Sequence, residues 1–84
     1  MKHEYLIKIF GRVDGRIMQE LTFNCTESQI YSVFFPLAYA SPGSSIGSCV
    51  LYLVVRNRYN TPQFKRLNSF VVNSKYTHLE VSHV

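Results

Sequence analysis

Residues 4–25 read EYLIKIFGRVDGRIMQELTFNC, and this stretch decides the fold because two alternating runs flank a turn signal. In the first run, Tyr5, Ile7 and Ile9 fall on one face of an extended strand. The second run alternates in the same way from residue 16 to residue 25. Asp14-Gly15, between the runs, is typical of a hairpin turn. The segment therefore predicts two antiparallel strands.

A three-residue loop, 13–15, matches the faces of the two strands better than a two-residue loop. Gly15 then takes the loop position that needs a left-handed backbone. A shorter loop would place core residues opposite solvent residues along the whole ladder. The predicted pairs are Tyr5–Phe23, Ile7–Leu21, Lys8–Glu20, Phe10–Met18 and Arg12–Arg16.

A helix is predicted after the hairpin. Thr26 and Gln29 have the spacing of a capping box, in which a threonine caps the helix and a glutamine reaches back. Apolar residues follow at helical spacing from Ile30. We expect a helix over 27–35, and Pro36 either ends it or bends it towards residue 40.

The second half predicts a loop, a strand, a helix and a last strand. Residues 41–47 are rich in Gly and Ser, which is typical of a loop. Residues 48–57 are apolar on both faces, which predicts a central strand covered on both sides. Thr61-Pro62 is typical of a helix start, with Phe64, Leu67, Phe70 and Val71 along one face. Residues 76–84 alternate again and predict a strand.

Together these segments predict one α+β domain over residues 1–84, with elements in the order ββαβαβ. We expect a small, mostly antiparallel sheet of about four strands, with the helices packed on one face.

Composition restricts the class of protein. The chain is 46% apolar and 17% charged, which is ordinary for a globular protein. Cys25 and Cys49 are expected to be reduced, buried thiols. Residues 33–40 and 50–55 are the longest apolar runs and are far short of a membrane span. No leader is recognised at the N-terminus. The sequence therefore predicts a cytoplasmic protein with no membrane partner.

The distribution of charge favours an anionic partner. The chain carries a net charge of +4, and no carboxylate occurs between Glu27 and Glu80. A basic stretch of this kind attracts anions, although it also serves simple solubility. The basic residues inside it are Arg56, Arg58, Lys65, Arg66 and Lys75.

Residues typical of catalysis or metal binding are sparse. His3, His78 and His83 are the only histidines; His78 and His83 have opposite parity on a strand and would point to opposite faces, and no Cys-x-x-Cys or His-x-x-x-His pair occurs. No serine or cysteine stands in a recognisable arrangement with a base. We therefore predict a non-enzymatic protein without metal or cofactor.

The first functional hypothesis is sequestration or occlusion of a phosphorylated anion, either a nucleotide or a nucleic acid. Arginine binds phosphate bidentately and aromatic rings stack on bases, and Arg56 and Arg58 are expected side by side at one strand end. The Gly/Ser loop would donate backbone N–H groups, or alternatively only connects a helix to a strand. The candidate ligand-binding residues are Arg56, Arg58, Lys65, Arg66, Tyr52, Tyr59, Ser44, Ser45 and Gly47.

The second hypothesis is a protein-binding inhibitor or adaptor, of the kind found in a virus or mobile element. Leu6, Phe10 and Met18 would face away from the helices and form an apolar surface for a larger acidic partner or for self-association. We therefore expect a homo-oligomer. The candidate partner-binding residues are Leu6, Lys8, Phe10, Arg12, Arg16 and Met18.

Overall fold

The computed structural model describes residues 1–39, 45–72 and 79–83 and shows a small α+β domain. It contains one antiparallel sheet of five strands in the order β2-β1-β3-β4-β5. The strands are β1 (His3–Gly11), β2 (Ile17–Cys25), β3 (Ile46–Arg56), β4 (Pro62–Val72) and β5 (Leu79–His83). One helix, α1 (Glu27–Phe34), follows β2 and continues as a short 3₁₀ helix, Phe35–Tyr39.

The β1–β2 hairpin has the predicted register along most of its length. Tyr5 pairs with Phe23, Ile7 with Leu21 and Lys8 with Glu20, as expected. Gly15 has a φ of 69°, so the left-handed loop position is confirmed. Nearer the turn two predicted pairs are wrong. A β-bulge makes Met18 an extra residue, so Phe10 pairs with Ile17, and Arg12 lies in the turn.

The first helix begins as predicted. Gln29 N–H donates to Thr26 Oγ1, and Thr26 N–H donates to Gln29 Oε1, which completes both halves of the capping box. The α-helix ends at Phe34, directly before Phe35-Pro36, because proline cannot donate to the helical ladder. The chain continues in the tighter 3₁₀ form.

The core lies between α1 and one face of the sheet. Ile30 and Phe34 of α1 are fully buried there, and Phe34 packs 5.1 Å from Phe70, centroid to centroid. Cys49 is buried in this cluster, whereas Cys25 is only half-buried. The buried cluster consists of Tyr5, Ile7, Ile9, Ile30, Phe34, Cys49, Leu51, Phe70 and Val72.

The predicted second helix is wrong, because residues 62–72 form β4 and pair with β3. A β-bulge between Leu51 and Tyr52 of β3 leaves Leu67 of β4 as the extra residue. The bulge reverses the alternation, so Phe64 and Phe70 lie on opposite faces. The apolar residues of 62–72 therefore recur at spacings that resemble those of a helix. The segment is nevertheless a strand, because its backbone forms hydrogen bonds with β3.

Two further expectations need correction. The first is the element order, which is ββα followed by three strands; the small, antiparallel character of the sheet is as predicted. β3 is central, as expected, but α1 covers only its Cys49–Leu51 side. Val50 and Tyr52, on its other side, are half-buried. The sheet therefore has a second face that no described helix covers.

Candidate functional site: the open sheet face

The face of the sheet opposite α1, here called the open face, unites residues from the two predicted surfaces. Leu6 and Lys8 of β1 lie directly beside Tyr52 and Val50 of β3. β4 adds its own residues through the pair Val54–Phe64 and the pair Tyr52–Arg66. The predicted partner-binding residues of the hairpin and some of the predicted ligand-binding residues thus lie on one continuous surface.

The centre of the open face is apolar and hollow. Leu6 and Val54 form its floor, with 7% and 8% of their surface exposed. Phe64 stands above them with 53% of its surface exposed, and its ring makes a T-shaped contact with the Tyr52 ring, with the two centroids 6.2 Å apart. The hollow has a volume of about 390 Å³ and is lined by Glu4, Leu6, Lys8, Glu20, Thr22, Val54, Arg56, Pro62 and Phe64.

One end of the hollow is closed by a bidentate ion pair. Arg56 Nε and Nη2 donate to the two carboxylate oxygens of Glu4 at 2.9 and 3.0 Å. The third guanidinium nitrogen, Nη1, donates to the backbone oxygen of Asn60 at 3.0 Å. The hydrogen bonds from Arg56 hold the pKa of Glu4 below its usual range, and Glu4 raises the pKa of Arg56. All three nitrogens of Arg56 are therefore used within the fold.

The middle of the open face carries a second, looser pair. Lys8 Nζ lies 3.9 Å from Glu20 Oε1 and 5.4 Å from the centroid of the Tyr52 ring. The ammonium group therefore contacts both a carboxylate and an aromatic ring. Arg66, beside Tyr52 on β4, donates to the hydroxyl of Ser69. Across β1–β4, the open face carries three basic groups, on Lys8, Arg56 and Arg66. Glu20 offsets the charge of Lys8, and Glu4 offsets the charge of Arg56.

The predicted phosphate-binding residues do not share one surface. Lys65 pairs with Leu53 and lies on the α1 side of the sheet, opposite to Arg66. Arg58 lies beyond the end of β3, so the expectation that it stands beside Arg56 on one strand face is wrong. Its guanidinium instead lies 5.0 Å above the ring of Tyr59, in the turn between β3 and β4.

The Gly/Ser loop contributes backbone contacts between strands. Ser45 accepts a hydrogen bond from Arg12 N–H through its backbone oxygen. A Cβ on Gly47 would lie 2.6 Å from Arg12 Cα and 2.8 Å from Gly11 O, so only glycine fits there. Gly47 thus permits β3 to approach the end of β1. The prediction for Ser44 lies outside the described residues.

The predicted partner-binding residues differ in exposure. Met18 has 49% of its surface exposed and Phe10 is half-buried. Leu6 lies on the face away from α1, as predicted, but it is only 7% exposed and forms the floor of the hollow, so its role as a partner contact stays a prediction. Arg12 and Arg16 lie at the hairpin turn, where Arg16 N–H donates to Asp14 Oδ1.

Six residues that line the hollow are absent from the predicted sites: Glu4, Glu20, Thr22, Val54, Pro62 and Phe64. Val54 belongs to a strand that is predicted to be covered on both sides, and Phe64 to a segment that is predicted to be a helix. The pattern of residues 50, 52 and 54 does indicate a second apolar face. The bulge at Leu67 hides the fact that Phe64 belongs to that face.

Within residues 1–39, 45–72 and 79–83, no group of three or more His, Cys, Asp or Glu residues could hold a metal ion. In that same part of the chain, no helix is long and apolar enough to cross a membrane. Comparisons with protein families, curated proteins and solved structures gave no match.

Proposed function

We propose that the chain is a non-enzymatic protein-binding domain that acts through its open face. The observation that carries this proposal is the apolar hollow at the centre of the face, with Phe64 more than half exposed above Leu6 and Val54. A pocket of this kind accepts an apolar side chain of a partner, and such buried anchors dominate the energy of protein interfaces. A charged rim around an apolar centre is the usual anatomy of such an interface.

Charge supports a protein partner over a polyanion at this face. Polyanion binding requires basic groups that neutralise phosphates. Arg56 is held by Glu4, and Lys8 lies beside Glu20, so these two bases are already offset by carboxylates. Across β1–β4, one positive charge on this face is left without a carboxylate, and the whole chain has a net charge of +4. This positive charge favours a partner with an acidic surface.

Photo-cross-linking in the native host tests the proposal. A photoreactive amino acid replaces Val71, which is 55% exposed and pairs with Ser48 at the margin of the open face. The expected product is a discrete protein adduct that resists nuclease. The substitution Phe64→Asp should abolish this adduct, because a carboxylate cannot enter an apolar contact without a large desolvation cost.

The matched control is Val33→Asp, on α1. Val33 is 38% exposed and lies on the covered side of the sheet, so the adduct should persist in this variant. Circular dichroism establishes that both variants fold. An adduct that survives Phe64→Asp, an adduct that nuclease removes, or no adduct at all would each refute the proposed interface.

Anion binding is a second candidate, and the β3–β4 turn favours it. Tyr59 is 74% exposed, and the Arg58 guanidinium lies over its ring, so an arginine and an aromatic face are presented together. Titration with a fluorescent oligothymidylate tests this candidate. Binding that weakens steeply with salt and is lost in Arg58→Glu would support this candidate. No binding at low salt would exclude single-stranded DNA as the ligand.

A further inference from the structure

β2 forms one edge of the sheet, and its sequence lacks the features that usually protect an edge. It is nine residues long, and Glu20 is its only charged residue. It contains neither lysine nor proline, both of which natural proteins place on edges to prevent pairing. Only the bulge at Met18 interrupts it, near one end. Such a strand is open to pairing with another chain.

Hydrogen bonds at the turn show which groups of β2 point outward. Gly11 N–H donates to Arg16 O on the β2 side, whereas Arg12 N–H donates to Ser45 O on the β3 side. The backbone groups of odd-numbered residues in β1 therefore form hydrogen bonds with β2, and those of even-numbered residues form hydrogen bonds with β3. Through the register Ile7–Leu21 and Tyr5–Phe23, the backbone groups of Leu21 and Phe23 point inward. Those of Glu20, Thr22 and Asn24 point away from the sheet.

We propose that β2 pairs with β2 of a second copy of this chain, antiparallel and centred on Thr22. In this register Thr22 pairs with Thr22 of the second copy, and Glu20 pairs with Asn24 in both directions. The three pairs would exchange about six backbone hydrogen bonds. The open faces of the two copies would then form one continuous surface.

Side chains distinguish this register from its neighbours. Centring on Thr22 places Leu21 opposite Phe23 on the α1 side, and both are only half-buried in one copy. It also places the Glu20 carboxylate opposite the Asn24 amide, which can donate to it. Centring on Glu20 would instead oppose two carboxylates, and centring on Leu21 would place Gln19 opposite Phe23. Of these three registers, only the one centred on Thr22 matches the side chains on both faces.

Sedimentation equilibrium over a range of concentrations tests the pairing. The wild-type chain should move from its mass of 9.7 kDa at low concentration towards twice that mass at high concentration. Thr22→Pro should remain monomeric, because proline removes an outward N–H without breaking the ladder to β1. Thr22→Lys should also remain monomeric, because it opposes two ammonium groups at the centre.

Thr22→Val is the matched control and should dimerise like the wild type, since it keeps the backbone N–H. Phe64→Asp should also dimerise, because Phe64 lies on the open face and not on the edge; this separates the pairing from the proposed partner interface. A wild-type chain that stays monomeric at every concentration, or a dimer that persists in folded Thr22→Pro and Thr22→Lys, would overturn the inference.

Discussion

Arg56 illustrates how one ion pair changes the role of a residue. In the sequence it stands in a carboxylate-free stretch and is predicted to bind phosphate. In the structure it meets Glu4, fifty-two positions away in the chain, with two hydrogen bonds. The sheet order that sets β1 beside β3 creates this contact. No local pattern could reveal it, because it depends on the pairing of distant strands.

The Arg56–Glu4 pair predicts a pH dependence. Because the pKa of Glu4 is lowered in the fold, the pair stabilises the protein at pH values above the range in which unfolded glutamates titrate. That contribution is lost as the pH falls through the lowered pKa. Arg56→Met should return the Glu4 pKa towards its ordinary value, measured by carboxyl-carbon NMR. Arg58→Met is the control, and an unchanged Glu4 titration in Arg56→Met would contradict the account.

The two thiols should differ in reactivity. Burial raises the pKa of Cys49 to about 12, so this thiol is protonated at neutral pH and also shielded from reagents. Cys25 is half-buried at the end of β2. Iodoacetamide should therefore label Cys25 first, and Cys49 only after denaturant is added, as followed by mass spectrometry. Equal labelling of both thiols in the native protein would show that the core is not packed as described.

At the scale of elements, the sequence was informative where its pattern was local. The hairpin register, the left-handed Gly15 and the capping box at Thr26 follow from residues within a few positions of one another. β4 was mistaken for a helix because the bulge at Leu67 changes which face each residue occupies. A bulge is fixed by the neighbouring strand, so its effect on alternation is invisible before the pairing is known.

The close approach of Gly47 in β3 to the hairpin turn predicts a specific sensitivity. Gly47→Ala should destabilise the fold by roughly 1–3 kcal/mol, because its Cβ would collide with the backbone of Arg12 and Gly11. Gly15→Asn is the matched control. Asparagine tolerates a left-handed backbone better than most residues, and no described atom lies within 4 Å of that position, so its cost should be smaller than that of Gly47→Ala. Chemical denaturation measures both, and equal costs would contradict the assigned contact.

At the scale of the whole molecule, the sheet has two unlike faces. One is filled by α1, and the other joins the residues of two surfaces that the sequence suggested separately. The composition and charge of the chain could not show that the basic groups on this face lie beside carboxylates. At the open face, we therefore expect apolar contact, and not phosphate neutralisation, to govern binding.

The salt dependence of cross-linking from position 71 distinguishes apolar contact from phosphate neutralisation. The cross-link yield of the Val71-labelled chain in a host extract is measured between about 50 and 200 mM salt, a range over which extensive phosphate contacts lose roughly 10³-fold in affinity. An apolar interface predicts a protein adduct whose yield falls only modestly over this range, because burial of apolar surface is not screened by salt and only the charged rim is. A steep loss of yield, with adducts that contain nucleic acid, would contradict the account.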